Sequence, residues 1–377
     1  MKLIGNTLLS IVFLFAIGCQ NSKTNLQQNS IINEIKHADG FSLKNYDGFS
    51  IVTISNPWPN SNKTFTYVLH KKNRIIPDSL KQFQQIQVPV KNIVVTSTTH
   101  IPSLEMLDVT DKLIGFPNLN YISSEKVRRR IDAKKIKELG SNQALNTELL
   151  INMQPDVIVG YGIDNTNPTL DNLQKSGLKV VVNGDWNEQS PLGKAEWIKL
   201  FGALFDKQAL ANSLFNTIER EYTTTLALVE KSNQKPSVIA GALYEDKWYL
   251  PQGESWGAQF LTNAGGNYLW QQTKGTGSLA LSFEAVIEKG LYADFWIGPG
   301  QFTSLADLAN ASENYTKFKA YKTKNIYTFS ARKGKTGGVL YYELAPNRPD
   351  IVLKDLVKIL HPEVLPKHQL YFFQKLN

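Results

Sequence analysis

The sequence predicts an α/β chain: two lobes, each a mostly parallel sheet covered by helices, joined by a long helix and preceded by a strand-rich segment. Three observations predict this. From residue 91 onward, short continuous apolar runs alternate with helical patterns, as strands buried on both faces require. Residues 191–235 repeat apolar positions at three- and four-residue steps, which is helical spacing. A strand-and-helix unit of one half also recurs in the other.

The chain has 377 residues and a formal charge of +8; 42% of residues are hydrophobic and 20% charged, which excludes a largely disordered chain. At this length two domains are the default expectation. The basic residues are dispersed, with no concentrated stripe, so nucleic acid is not an expected partner.

The first element is a leader. Met1-Lys2 precedes the apolar run Leu3 to Ile17 and then Gly18-Cys19, the order of a secretory signal over residues 1–18. Ala16-Ile17-Gly18-Cys19 resembles a bacterial lipobox, in which the cysteine is lipidated. An uncleaved anchor or a plain secretory signal with a chance cysteine is the plainer alternative. Residues 19–30 read as a polar, lipid-anchored tether. Cys19 is the single cysteine, so neither an internal disulfide nor a thiolate metal cluster can form. No later run reaches about eighteen apolar residues, so nothing else is expected to span a membrane. The expected location is the bacterial periplasm or cell envelope.

Residues 31–90 form the strand-rich extension, with Ile51-Val52-Thr53-Ile54 and Phe65-Thr66-Tyr67-Val68-Leu69 separated by the turn-like Asn56-Pro57-Trp58-Pro59-Asn60. Residues 91–190 form the first lobe, with strands at Asn92 to Val95, Lys112 to Gly115, Asp156 to Gly160 and Leu178 to Val182. The linking helix follows over 191–235, with Pro191 in its first turn. If continuous, it would run roughly 60 Å at 1.5 Å per residue and limit closure of the lobes. The second lobe, 236–377, has strands at Ser237 to Gly241, Trp248 to Leu250, Asp294 to Gly298 and Asn325 to Phe329, and a closing helix from Pro349.

The recurring unit is Asn146-Thr147-Glu148-Leu149-Leu150 leading into Asp156 to Gly160, and Ser282-Phe283-Glu284-Ala285-Val286 leading into Asp294 to Gly298. Two related lobes make a cleft, and a cleft is where a ligand belongs.

With these residues in order the chain resembles a substrate-binding lipoprotein of the family serving ATP-driven importers of ferric siderophores, haem and cobalamin. The resemblance rests on Val90 to Val95 with Thr96-Ser97-Thr98, on Asn146 to Leu150 leading into Gln154 to Val159, on the long helical stretch, and on Leu261-Thr262-Asn263-Ala264-Gly265-Gly266-Asn267. It implies two Rossmann-like lobes, binding rather than catalysis, no cofactor and a monomer. It also implies that one glutamate at the tip of each lobe docks on the permease, and the matching positions are Glu148 and Glu284. Apart from the family, an exposed glutamate near a helix N-terminus is explained by the helix dipole alone.

A ligand would lie at the carboxyl ends of the strands. The loops there hold Ser97, Tyr121, Tyr161, Trp186, Trp248, Trp256 and Arg332. Flat aromatic faces suit a corrin, porphyrin or catecholate ring, and arginine suits an anionic chelate. The competing explanation for each aromatic is closure of the core.

Rival chemistry has its own residues. Gly253-Glu254-Ser255-Trp256-Gly257 satisfies the nucleophile-elbow pattern, with Asp294 or Asp307 and then His361 or His368 in the expected order. A membrane-tethered serine hydrolase is therefore the second reading, although Pro251-Gln252 separates the preceding strand from the motif. A metal site is not expected: His100 alone of five histidines falls on a cleft loop, with Asp185 and Glu188 as the nearest helpers. Gly334-Lys335-Thr336 lacks the first glycine of a phosphate loop.

Overall fold

The computed structural model describes residues 34–165 and 167–377. The leader and the whole tether, Cys19 included, lie outside the described residues.

The N-terminal segment is a four-stranded sheet of β1 (Phe41–Tyr46), β2 (Phe49–Ser55), β3 (Thr64–Lys71) and β4 (Gln84–Val88). The pairs β1–β2 and β2–β3 are antiparallel, and β4 runs parallel to β3. Side chains alternate between faces along a strand, so Phe41 and Leu43, and Val52 and Ile54, turn together into the core. That core is continuous with the one beneath both lobes.

The first lobe runs β5 (Ile93–Val95), α1 (His100–Met106), β6 (Leu113–Phe116), α2 (Glu125–Asp132), β7 (Lys137–Glu138), a hairpin of β8 (Gly140–Ser141) and β9 (Ala144–Leu145), α3 (Thr147–Met153), β10 (Val157–Gly160), α4 (Pro168–Lys175) and β11 (Val180–Val182). Its sheet is parallel throughout, in the order β11-β10-β5-β6-β7. Both faces are covered: Ile93, Val95, Val157 and Val159 join the main core, while Val94, Ile158 and Val180 join a second core with Leu150 and Leu173. This is why these strands read as unbroken apolar runs.

The linking stretch is three helices, not one: α5 (Pro191–Glu196), α6 (Ile198–Leu204) and α7 (Gln208–Val229). Asp206 adopts a left-handed φ of 54°, and the Lys207 N–H donates to the Gly202 carbonyl at 2.7 Å. That geometry ends α6 and turns the chain. The 22 residues of α7 extend about 33 Å, with Ala211, Phe215, Ile218, Tyr222, Thr225 and Val229 as the buried stripe.

The second lobe comprises β12 (Ser237–Ala240), β13 (Ala242–Tyr244), β14 (Lys247–Pro251), α8 (Trp256–Asn263), β15 (Asn267–Tyr268), β16 (Ser278–Leu281), α9 (Phe283–Gly290), β17 (Phe295–Ile297), α10 (Leu305–Ala311), α11 (Lys319–Lys322), β18 (Ile326–Thr328), α12 (Leu340–Leu344), α13 (Pro349–Leu360) and β19 (Gln374–Lys375). Its sheet has the order β15-β12-β17-β18-β19, with β19 antiparallel. The run Trp248 to Leu250 belongs to a separate antiparallel sheet, β13-β14-β16, rather than to the parallel series. Gly241 makes the turn possible: its φ is +75°, and a Cβ there would stand 1.8 Å from the Tyr249 carbonyl oxygen.

The two sheets share a topology. Reading β11-β10-β5-β6 against β18-β17-β12-β15 places β10 and β17 at the same point, each entered from a short helix, α3 or α9. The caps match as well: Asn146 Oδ1 accepts the Leu149 N–H, and Ser282 Oγ accepts the Ala285 N–H. Glu148 and Glu284 follow at the second position of their helices, both exposed.

Two buried carboxylates fasten the N-terminal segment to the linking helices. Glu196 accepts backbone N–H groups from Lys36, His37 and Ala38 and pairs with Lys199 at 2.7 Å. Glu188 accepts those of Asp39 and Gly40 and the indole N–H of Trp197.

Candidate functional site

Three cavities follow one another along the carboxyl ends of the strands. The largest, about 530 Å³, sits in the second lobe above Ala240 of β12, Ile297 of β17 and Phe329 beyond β18. Tyr244, Tyr249, Phe302, Tyr341 and Tyr342 complete its walls. The second, about 260 Å³, lies between the lobes: Thr96, Ser97, Tyr121 and Tyr161 face Val339, Tyr342 and Glu343. Tyr342 lines both. The third, about 210 Å³, shares Thr96, Asn142 and Tyr161 with the second and extends to α4. Together they form a trough crossing from one lobe to the other.

Helix α12 is the element that builds this trough. Tyr342, 53% exposed, stands edge-on to Phe329 and Tyr341 at centroid distances of 5.6 and 6.0 Å. Phe329 and Tyr341 stack on each other at 4.4 Å. The next residue after Tyr342, Glu343, reaches across the cleft floor: its carboxylate accepts the Ser123 N–H at 2.6 Å and the Ser124 N–H at 3.1 Å. Burial raises the Glu343 carboxyl to about 7 despite those hydrogen bonds, with the nearby Glu105 charge adding to the effect. Asn347 makes the same crossing, accepting from Ser103 Oγ and donating to the Thr99 carbonyl, each at 2.8 Å.

The residues expected from sequence are distributed unevenly over this trough. Ser97, Tyr121 and Tyr161 line the interlobe cavity. Ser97 Oγ lies 2.8 Å from Thr99 Oγ1, which donates to Asp185 at 3.0 Å. The Tyr161 hydroxyl accepts from Asn142, and burial raises its pKa. Trp186 is partly exposed and donates its indole N–H to the Gly162 carbonyl. Trp256 is half-buried, stacked on Tyr341 at 6.0 Å with the Lys194 ammonium 5.4 Å from its ring; burial pulls that Lys194 down to about 8.

Two expectations are corrected. Trp248 is fully buried, stacked on Trp296 at 5.2 Å with its indole N–H given to the Ala240 carbonyl, so it closes the core and lines none of the three cavities. Arg332 lies over the Tyr371 ring at 4.6 Å, donates to the Tyr371 carbonyl, and lines none of the three cavities. The alternation of Trp248, Tyr249 and Leu250 is the sequence signal of the first, and the doublet Tyr341-Tyr342 after Gly337-Gly338 is the signal that points to the trough.

The rival chemistries find their residues occupied. Ser255 is the N-cap of α8: its Oγ accepts the Ala258 N–H and donates to the Gln252 carbonyl at 2.6 Å. His368 pairs with Asp355 at 2.6 Å, and His361 with Ser232 at 3.2 Å. Among the described residues no three His, Cys, Asp or Glu side chains gather as metal ligands. His100 is buried against Phe201, where desolvation lowers its pKa, and Glu188 is spent on the N-terminal segment. The loop around Gly334 bridges the lobes, with Thr336 donating to the Asn120 carbonyl and Lys335 paired to Asp132 at 3.3 Å.

Known proteins share this architecture. The chain is 26% identical over 93% of its length to an uncharacterized lipoprotein of Methanocaldococcus jannaschii, covering 87% of that relative. A possible iron-binding periplasmic solute-binding protein of Staphylococcus epidermidis superposes with a TM-score of 0.56 at 20% identity, covering 72% of this chain and 99% of that one. A periplasmic heme binding protein of Pseudomonas aeruginosa gives 0.55 at 15% identity, covering 76% and 98%. Residues 93–332 match the family description of a periplasmic binding protein. The chain therefore belongs to the periplasmic binding protein family, and its work is to bind a solute rather than to transform one.

Proposed function

We propose that this protein captures an iron chelate (siderophore or haem) or cobalamin in the trough between its lobes and delivers it to the permease and ATPase of an importer. The observation carrying this reading is the trough itself, which opens at the strand carboxyl ends of both sheets and turns on the shared ring of Tyr342. Ser97, Tyr121 and Tyr161 contact the ligand from the first lobe, and Trp186 and Trp256 stand nearby. Glu148 and Glu284, exposed at equivalent points of the two lobes, dock on cations of the permease. The protein acts as a monomer held at the membrane through lipid on Cys19. Support for the anchor comes from the lipobox-like Ala16 to Cys19 and the lipoprotein relative. No helix among the described residues is long and apolar enough to cross a membrane.

The test is a tryptophan-fluorescence titration of residues 20–377 with cyanocobalamin, haemin and ferric siderophores, corrected for ligand absorbance. Saturable binding of one of them, lost on filling the trough, is the expected result. No binding across the panel would overturn the reading.

A further inference from the structure

The protein carries an excess of positive charge, +8 overall, yet no Lys, Arg or His among the described residues lines the trough. The largest cavity has no Lys, Arg, His, Asp or Glu in its walls. Among the described residues the interlobe cavity has one such side chain, Glu343, and the third has one, Asp164. Both are acids. An anion moved from water into such a lining loses its hydration and gains no counter-charge, a cost that pairing normally offsets. A neutral molecule incurs a much smaller cost, and its apolar surface is welcomed by Phe302, Phe329, Tyr341 and Tyr342. The polar groups present are the neutral hydrogen-bonding partners of amide and hydroxamate oxygens: tyrosine hydroxyls, Ser97, Asn142 and Gln301. No three His, Cys, Asp or Glu side chains gather as metal ligands among the described residues, which suits a metal that arrives enclosed by its own chelator.

We infer that the cargo is a metal chelate without net negative charge, seated in the second-lobe cavity with an apolar face against Tyr342. The inference rests on the trough being the binding site and narrows what enters it. It replaces the anionic chelate that the sequence suggested through Arg332, whose guanidinium is engaged by Tyr371.

The experiment measures affinities of the intact protein for two uncharged probes, a ferric trihydroxamate and cyanocobalamin, and three anionic ones, a ferric tricatecholate, ferric citrate and haemin. The expected result is binding of at least one uncharged probe, with every anionic probe weaker by about tenfold or more; which uncharged probe binds separates a siderophore from a corrinoid. Tyr342→Ala weakens that binding by about tenfold, and Tyr342→Phe, which keeps the ring, restores it. Gln301 is exposed on the cavity wall, so Gln301→Lys adds a cation without disturbing the core, and it raises affinity for the anionic probes by about tenfold. An anionic probe binding the unaltered protein as tightly as the neutral ones overturns the inference while leaving the trough as the site. So does a Gln301→Lys protein that gains no affinity for anions. Failure of every probe overturns the site assignment itself.

Discussion

Asp156 and Asp294 do the same work in the two lobes. Each stands one residue before its strand and donates its own N–H, at 3.0 Å, to the backbone where the neighbouring strand begins. Each carboxylate then accepts from that same place: Asp156 from the N–H groups of Lys91 and Asn92, Asp294 from the N–H and hydroxyl of Ser237. The relationship fixes the register of β10 on β5 and of β17 on β12, and with it the helices that precede β10 and β17.

The first prediction follows from that equivalence. Glu148 and Glu284 lie on those preceding helices, exposed and without a side-chain partner among the described residues. Replacing both with alanine should cut importer-driven uptake by about tenfold or more, while cargo affinity stays within about twofold. Helix-dipole stabilisation alone is worth about 0.3–1 kcal/mol for each glutamate, so thermal stability should barely move. Uptake at the unaltered rate would assign the pair to helix stabilisation.

A second prediction concerns pH. Glu343 is raised by burial from 4.5 to about 7 in the folded chain, so folding favours its neutral form. Stability from this group is fully present below about pH 4.5 and is lost as pH rises through about 7, by about 3 kcal/mol in all. Glu343→Gln cannot titrate, and its denaturation free energy should fall less between about pH 5 and pH 7.5. Glu188, also raised by burial, contributes equally to both proteins. Parallel curves for the two would place the pH dependence elsewhere.

Much of this architecture was legible because parallel strands covered on both faces leave an unmistakable apolar run, as at Ile93-Val94-Val95 and Val157-Ile158-Val159. The turn at Asn56 to Asn60 was equally readable, and Asn56 and Asn60 both adopt left-handed φ values. The breaks in the linking stretch were not, because a buried stripe continues through them while one residue, Asp206, reverses the chain. The trough was legible only by halves. Ser97, Tyr121 and Tyr161 follow strands and could be placed by order alone, whereas Tyr342 and Glu343 ride on α12, whose five residues leave no periodic signal. Trp248 shows the reverse error: a large aromatic near a strand end reads alike in sequence whether it faces ligand or core.

The fastening of the N-terminal segment gives a third prediction. Glu196 is fully buried, and its alanine variant would strand three backbone N–H donors and leave the buried Lys199, still donating to the Glu34 carbonyl, without its counter-charge. A loss of about 3–5 kcal/mol is expected in urea denaturation, with proteolytic cleavage appearing near residues 34–40. A loss under about 1 kcal/mol would mean the carboxylate is replaceable by solvent.

A fourth concerns Ser255. Its hydroxyl caps α8, so Ser255→Ala should cost about 1 kcal/mol of stability and leave cargo affinity unchanged. Turnover of an ester by the purified protein, abolished in this variant, would return the hydroxyl to catalysis.

Asn347, Glu343 and Thr336 tie the second lobe to the first. If the trough is the binding site, lobes bonded together in this way have little motion with which to announce that it is full. On the proposed importer role, the permease would then read occupancy from the surface of the filled trough, where the cargo itself becomes part of what is recognised. Loaded and empty receptors would compete for the same docking face with similar shapes, and the traffic between them would be set by how fast each lets go.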